Sequence, residues 1–189
     1  MKKKLALGLA LILACGTLAG CGGSSDSSEG SSEGSGDGSV TAKVINIDLT
    51  SEEYAFGVDK NQPELLDQVN GFIAKIQEDG TFDEICDKYF GGGEPEAVES
   101  AELDSSKDQL VVATNAAFEP FEYTKGDQYY GIDMEIAALL AEERGQELVI
   151  QNMDFDAVCL SVGQHKCDIA MAGLTINEER EEYVTFSDP

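Results

Sequence analysis

Leu110-Val111-Val112-Ala113-Thr114-Asn115-Ala116-Ala117-Phe118-Glu119-Pro120-Phe121 is the stretch from which the rest of the chain is read. Leu110–Thr114 is a short apolar run with the composition of a strand. The apolar pattern that follows has helical spacing: Ile132, Ile136, Leu139 and Leu140 share one face of a helix over Ile132–Arg144, with Gly145 at its C′ position. Leu148–Gln151 reads as a strand, and Asp156–Val162 as a short helix closed by Gly163. Ile169–Ala172 is a strand, Asn177–Tyr183 a helical turn, and Val184–Phe186 a last strand. This alternation predicts an α/β fold with right-handed crossovers and a mostly parallel sheet.

Upstream, Val44–Leu49 alternates like a strand and Tyr54–Val58 reads as a second one. A helix follows, with Asn61 as N-cap and Pro63 in its first turn. Leu65, Leu66, Val69, Phe72, Ile73 and Ile76 keep to one face, and Gly80 ends it. Thr81-Phe82-Asp83-Glu84 has the form of a capping box for the next helix, which Gly91 stops. Residues 94–108 are polar and acidic and read as a linker.

The chain has 189 residues and a formal charge of −25, from 12 Lys and Arg against 37 Asp and Glu. Three of the lysines, and no acid, lie in residues 1–20. A surface this acidic cannot displace counterions from phosphates, so nucleic acid is excluded as a partner. Docking on anionic lipid by charge is excluded for the same reason.

Lys2, Lys3 and Lys4 precede the apolar run Leu5–Ala14, the pattern of a signal peptide over residues 1–20. Leu18-Ala19-Gly20-Cys21 resembles the bacterial lipobox, which implies lipidation of Cys21 and anchoring to the cell membrane. Residues 21–43 form a tether of Gly, Ser and acids. Its core, residues 22–39, spans about 23 Å root-mean-square as a flexible coil. The folded part is thereby expected outside the cytoplasm.

Ligands of doubly wound sheets sit beyond the carboxyl ends of the strands. Three segments leave such ends: 115–121, 152–155 and 173–180. In the third, Asn177 reads as an N-cap and puts Arg180 in the first helical turn, where the dipole disfavours a cation and free N–H groups favour an anion. Arg180 there can clamp a carboxylate in bidentate fashion; alternatively it pairs with Glu178, Glu179 or Glu181 on the surface. Gly173 permits close backbone approach, and Thr175 adds a hydroxyl and an N–H. Phe118 and Phe155 either wall an apolar slot or belong to the core. Asn115 either reads a polar ligand group or ends its strand.

Val112–Tyr123, Tyr130-Gly131-Ile132-Asp133-Met134, Met153-Asp154-Phe155, Asp168–Arg180 and Phe186–Pro189 together resemble bacterial extracellular solute-binding proteins of family 3, the polar amino-acid receptors of ABC importers. The motifs occur in family order over residues 109–189. The resemblance implies one lobe of a type II periplasmic-binding-protein fold. It implies that Arg180 holds the ligand α-carboxylate with help from Thr175, and that the Gly173 carbonyl takes the α-ammonium. Phe118 and Phe155 then flank the ligand side chain and Asn115 contacts its polar end. The implied partners are a polar amino acid and ABC permease subunits, with no cofactor and no catalysis.

The chain departs from the family in two ways. It stops at Pro189, about where the first lobe hands over to the second, which points to a fragment of a longer receptor or to a one-lobe protein. Residues 44–93 resemble the family's C-terminal segment, here placed in front. The two segments, 44–93 and 109–189, are therefore expected to pack as one domain in permuted order, with Tyr54–Val58 antiparallel in an otherwise parallel sheet.

Cys86, Cys159 and Cys167 read as buried free thiols; Cys159, His165 and Cys167 are too irregularly spaced, and lack a fourth ligand, for a metal site. An enzyme on this fold would need a positioned acid or base, for which only Asp154 and Glu119 offer themselves. A sensory ectodomain is the third class. The net charge disfavours acidic ligands, and the uncharged Asn115 disfavours cationic ones, which leaves a polar uncharged amino acid as the expected ligand.

Overall fold

The computed structural model describes residues 52–189. The signal peptide, Cys21, the tether and the strand expected at Val44–Leu49 lie outside the described residues.

The first strand, β1, is Gly57–Asp59. It is shorter than expected and begins later, because Tyr54 makes only an isolated antiparallel bridge with Thr175. Helix α1, Pro63–Glu78, buries Leu65, Val69, Phe72, Ile73 and Ile76. Its N-cap is Gln62, not Asn61, and no side chain caps it. The Asn61 N–H instead donates to Asp59 Oδ1 at 2.8 Å, which closes the turn between β1 and α1. Helix α2, Thr81–Phe90, has Gly80 as its N-cap. Thr81 is thus already helical and the expected capping box does not form; its N–H donates to Asp79 Oδ1 at 3.0 Å.

Strand β2, Gln109–Thr114, is followed by three short strands, β3 (Ala117–Phe118), β4 (Glu122–Lys125) and β5 (Gln128–Tyr130). These three make a small antiparallel sheet of their own. Helix α3 is Ile132–Arg144, ended by Gly145 in the left-handed region at φ 67°. Strand β6 (Glu147–Asn152), helix α4 (Phe155–Gly163), strand β7 (Ile169–Ala170), the one-turn helix α5 (Glu178–Glu181) and strand β8 (Val184–Phe186) complete the fold.

The main sheet has the order β6-β2-β7-β1-β8. Strand β2 runs parallel to β6 and β7, and β1 runs antiparallel to both β7 and β8. The first segment therefore contributes a strand inside the sheet formed by the second. Gly57 permits this insertion, since a Cβ there would come within 2.8 Å of the Val184 side chain on β8.

Both faces of the sheet are covered. Helices α1, α2 and α3 close one face over Val58, Leu110, Val112, Met134, Ile169 and Met171. Helix α4 closes the other, where Ala113, Val158, Val162, Ala170, Leu174 and Val184 meet. Burial on both sides explains why the β2 and β6 sequences run apolar without strict alternation. Cys159 and Cys167 lie in this second layer, Cys86 is half-buried on α2, and all three are free thiols.

Part of the 94–108 segment is held on the fold. Val98 is buried and bridges Tyr129, the Ala101 N–H donates to the Leu148 carbonyl at 2.8 Å, and Ser100 Oγ accepts from the Ile150 N–H at 2.9 Å. Residues 98–101 thus act as a strap across β5 and β6 rather than as free chain.

Candidate functional site

The three segments that leave β2, β6 and β7 meet at one end of the sheet. Two of them pin each other. The Asn115 side-chain N–H donates to the Met153 carbonyl at 2.7 Å, Asn152 Oδ1 accepts from the Ala116 N–H at 2.9 Å, and the Met153 N–H donates to the Thr114 carbonyl at 2.9 Å. Asn115 therefore ends β2 and locks its neighbour at once.

A cleft of about 380 Å³ opens over this end. Asn115, Phe118, Phe155, Gly173, Thr175 and Arg180 all line it. So do Glu52, Tyr54 and Glu122, which the sequence reading missed. Tyr54 reaches the cleft because its bridge to Thr175, with the Ala55 N–H on the Leu174 carbonyl at 3.0 Å, ties the first segment to the third loop.

Asn177 caps α5, its side chain accepting the Arg180 N–H at 2.9 Å. The Arg180 guanidinium makes no ion pair with Glu178, Glu179 or Glu181 among the described residues. It turns inward instead: Nη1 donates to the Thr175 carbonyl at 2.6 Å, and Cζ lies 5.1 Å from the centre of the Phe155 ring. One hydrogen bond and one stacked ring fix the plane of the guanidinium while most of its five donors stay free. A planar cation held so is suited to a carboxylate.

Phe118 and Phe155 are 45% and 41% exposed, so neither is a core aromatic. Phe118 stacks on Phe121, with ring centres 5.3 Å apart, and Tyr54 meets Phe121 edge-on at 5.1 Å. The Phe118 ring also stands over Gly173. A Cβ on Gly173 would come 3.1 Å from that ring, and the residue's φ of +51° favours glycine besides. The Gly173 N–H donates to Asp133 Oδ2 at 2.9 Å, which fixes the third loop on the start of α3.

Glu122, which lines the cleft, and Asp133 beside it are buried acids. Asp133 is buried, and burial pushes its carboxyl up to about 6 against the lowering effect of the Gly173 N–H. Glu122 is 1% exposed, and burial, then the charge of Asp133, push it up to about 9. Its Oε2 has no hydrogen-bond partner among the described residues. Glu122 sits in Pro120-Phe121-Glu122-Tyr123; one acid between aromatics gives no local hint of burial, which arises from Gly173 and α3 closing over it. Burial, followed by its bond to Glu52, raises Tyr54 as well.

Among the described residues, no group of His, Cys, Asp and Glu side chains could hold a metal ion. His165 lies at the far end of the sheet, with Nδ1 2.6 Å from Asp59 Oδ2. No described helix is long and apolar enough to cross a membrane.

The model of the bacterial extracellular solute-binding proteins, family 3, matches residues 7–92 and 110–189. The arginine-binding extracellular protein ArtP of Bacillus subtilis is 38% identical over 85 residues, which are 45% of this chain and 33% of that protein. A cyclohexadienyl dehydratase of Pseudomonas aeruginosa is 37% identical over 81 residues, 42% of this chain and 30% of that enzyme. Among solved structures, the arginine-bound form of domain 1 from TmArgBP matches at 37% identity with a TM-score of 0.42, covering 47% of this chain and 72% of that one. The chain spans about a third of the length of the curated relatives it matches. The fold is α/β, with a mostly parallel sheet and one antiparallel strand, as in a single lobe of a type II periplasmic-binding protein. Matched by the family model over both of its segments, the chain belongs to the bacterial extracellular solute-binding proteins, family 3.

Proposed function

We propose that the chain supplies the amino-acid-binding lobe of an extracytoplasmic receptor for an ABC importer, held at the membrane by lipid on Cys21. The observation that carries the reading is Arg180: a guanidinium oriented by the Thr175 carbonyl and the Phe155 ring, at the edge of an open cleft, with no carboxylate partner among the described residues. On this reading Arg180 takes the α-carboxylate with Thr175 beside it. Phe118 and Phe155 hold the apolar part of the ligand side chain, Gly173 offers its carbonyl to the α-ammonium, and Asn115 faces the polar end. The lobe binds and does no chemistry.

Two observations shift the ligand from the uncharged amino acid expected above toward a cationic one. Glu52 and Glu122 line the cleft with no cationic partner among the described residues. Relatives named for binding arginine or histidine support the same choice. In the family, two lobes close over the ligand. One lobe makes about half the contacts, so an affinity on the order of millimolar is expected.

The test is a thermal-shift screen of the full chain against the twenty amino acids at high millimolar concentration. A ligand bound only by the folded state raises Tm. A rise for arginine or another basic amino acid that Arg180→Ala abolishes supports the reading. A cooperative melt that no amino acid shifts refutes it for this chain.

A further inference from the structure

We propose that Glu122 is a ligand-contacting residue of the cleft, which gives up its proton when the cationic nitrogen of a bound amino acid takes that proton's place. The inference deepens the function proposed above and rests on it.

Geometry singles out Glu122. It is 1% exposed and lines the cleft, and its Oε2 is one of two buried side-chain oxygens left without a partner among the described residues. Buried polar atoms are almost always paired, so an orphan beside a cleft marks a place for an absent donor. The space above Gly173 is bounded by the Phe118 ring, 3.1 Å from the Cβ position, and by Glu122 Oε2, 3.8 Å from it. Phe118 is half exposed, and a rotamer change of its ring, the kind of motion exposed side chains make on a fast timescale, would open a path to Oε2.

The charges around it fit a cation. Asp133 faces Glu122 from α3, Tyr54 and Glu52 come from the segment before β1, and Arg180 stands across the cleft on α5. No lysine or arginine pairs with Glu122 or Asp133 among the described residues. Burial and Asp133 keep the carboxyl protonated at neutral pH in the empty cleft. A cationic nitrogen beside it reverses that balance and favours the carboxylate. The step is a simple exchange. The Glu122 O–H bond breaks, the proton passes to solvent, and an N–H of the ligand donates to the freed oxygen. Nothing is oxidised or reduced.

Binding that expels one proton tightens as pH rises. The expected gain is up to roughly tenfold per pH unit below the pKa of Glu122, or about thirtyfold between pH 6.5 and pH 8. The test is calorimetric titration of the full chain with L-arginine and, separately, with L-glutamine, in phosphate and in Tris at pH 7.5. The difference in apparent heat between the buffers counts protons. We expect close to one proton released by the wild type and none by Glu122→Gln, which also loses the pH slope. Release with both ligands assigns the α-ammonium to Glu122, and release with arginine alone assigns the side chain. Loss of Tm in Glu122→Gln with the proton count unchanged is a purely structural role and overturns the proposal. So does measurable wild-type binding with no proton released, which leaves the proposed function standing. Absence of any binding overturns both. Should Glu122→Gln fail to fold, the wild-type proton count decides alone.

Discussion

Two buried acids, Glu135 on α3 and Glu122 on β4, live in opposite surroundings. Glu135, 7% exposed, is fully engaged: Lys88 Nζ lies 2.6 Å from Oε2, and the Tyr89 hydroxyl donates to Oε1 at 2.7 Å. Tyr89 in turn accepts the Gly131 N–H at 2.9 Å, so one carboxylate ties α2 to the start of α3. Burial and Glu135 raise the Tyr89 hydroxyl, which stays protonated as a donor. Glu122 has no such partners among the described residues, and the charge nearest to it is Asp133. The first acid was given partners by the fold and serves the fold. The second was left without them, buried against a cleft, and an acid left so is a poor structural element and a good receptor for something that arrives later.

The contrast can be broken at its stronger member. Glu135→Leu strips the acceptor from Tyr89 and leaves Lys88 only the exposed Glu96, 3.4 Å away. Allowing for the partial exposure of Lys88, the loss is about 2–3 kcal/mol, visible as a lower urea midpoint. Lys88→Met, which removes one contact and leaves the tyrosine bond, costs less.

Glu122→Gln sharpens the comparison because its sign differs. The folded carboxyl sits near 9, far above its unfolded value, so the folded state holds a proton that the unfolded state releases. The stability this confers is fully present below about pH 4.5 and is lost as pH rises through 9. Wild-type Tm is expected to fall from pH 5 to pH 9. Glutamine mimics the neutral acid, so the variant matches the wild type near pH 5 and exceeds it at pH 8.5. Differential scanning fluorimetry across that range reads the crossing. Asp133, raised to about 6, adds a smaller decline of the same sign at the acid end.

Val98→Ala probes the strap that holds residues 98–101 over β5 and β6. Loss of a buried Val side chain to Ala costs about 1 kcal/mol of core contact. It should also make residues 98–101 more readily cut by protease than in the wild type, with mass spectrometry locating the cut. Smallest is Asp133→Asn, whose oxygen still accepts from the Gly173 N–H. Its effect is expected within about 1 kcal/mol on stability, together with a lower pKa for Glu122, measurable by carboxyl NMR.

Legibility in the sequence followed the range of the forces involved. Helix α3 was read to the residue, because Ile132, Ile136, Leu139 and Leu140 form an uninterrupted helical stripe and Gly145 closes it. Asn177 was read as a cap for an equally local reason, its bond to Arg180 spanning three residues. The caps of α1 and α2 were misplaced by one residue, since local hydrogen bonding to Asp59 and Asp79 outweighed the preferred side-chain types. Strands β3, β4 and β5 passed unread because they are short and largely exposed, and lack the apolar run that marks the equally short β7 and β8. In the cleft, residues at strand ends could be named from order alone. Glu122 and Tyr54 could not, for one owes its burial to a loop some fifty residues away and the other its place to a bridge with Thr175.

The position of β1 has a consequence in time. Gly57 pairs with Ala170 on one side and Phe186 on the other, both more than a hundred residues downstream. A chain made from its N-terminus has no neighbours for this strand until β7 and β8 exist, and contacts of such long range form slowly. The first segment must therefore wait, open and unpaired, while the rest is synthesised.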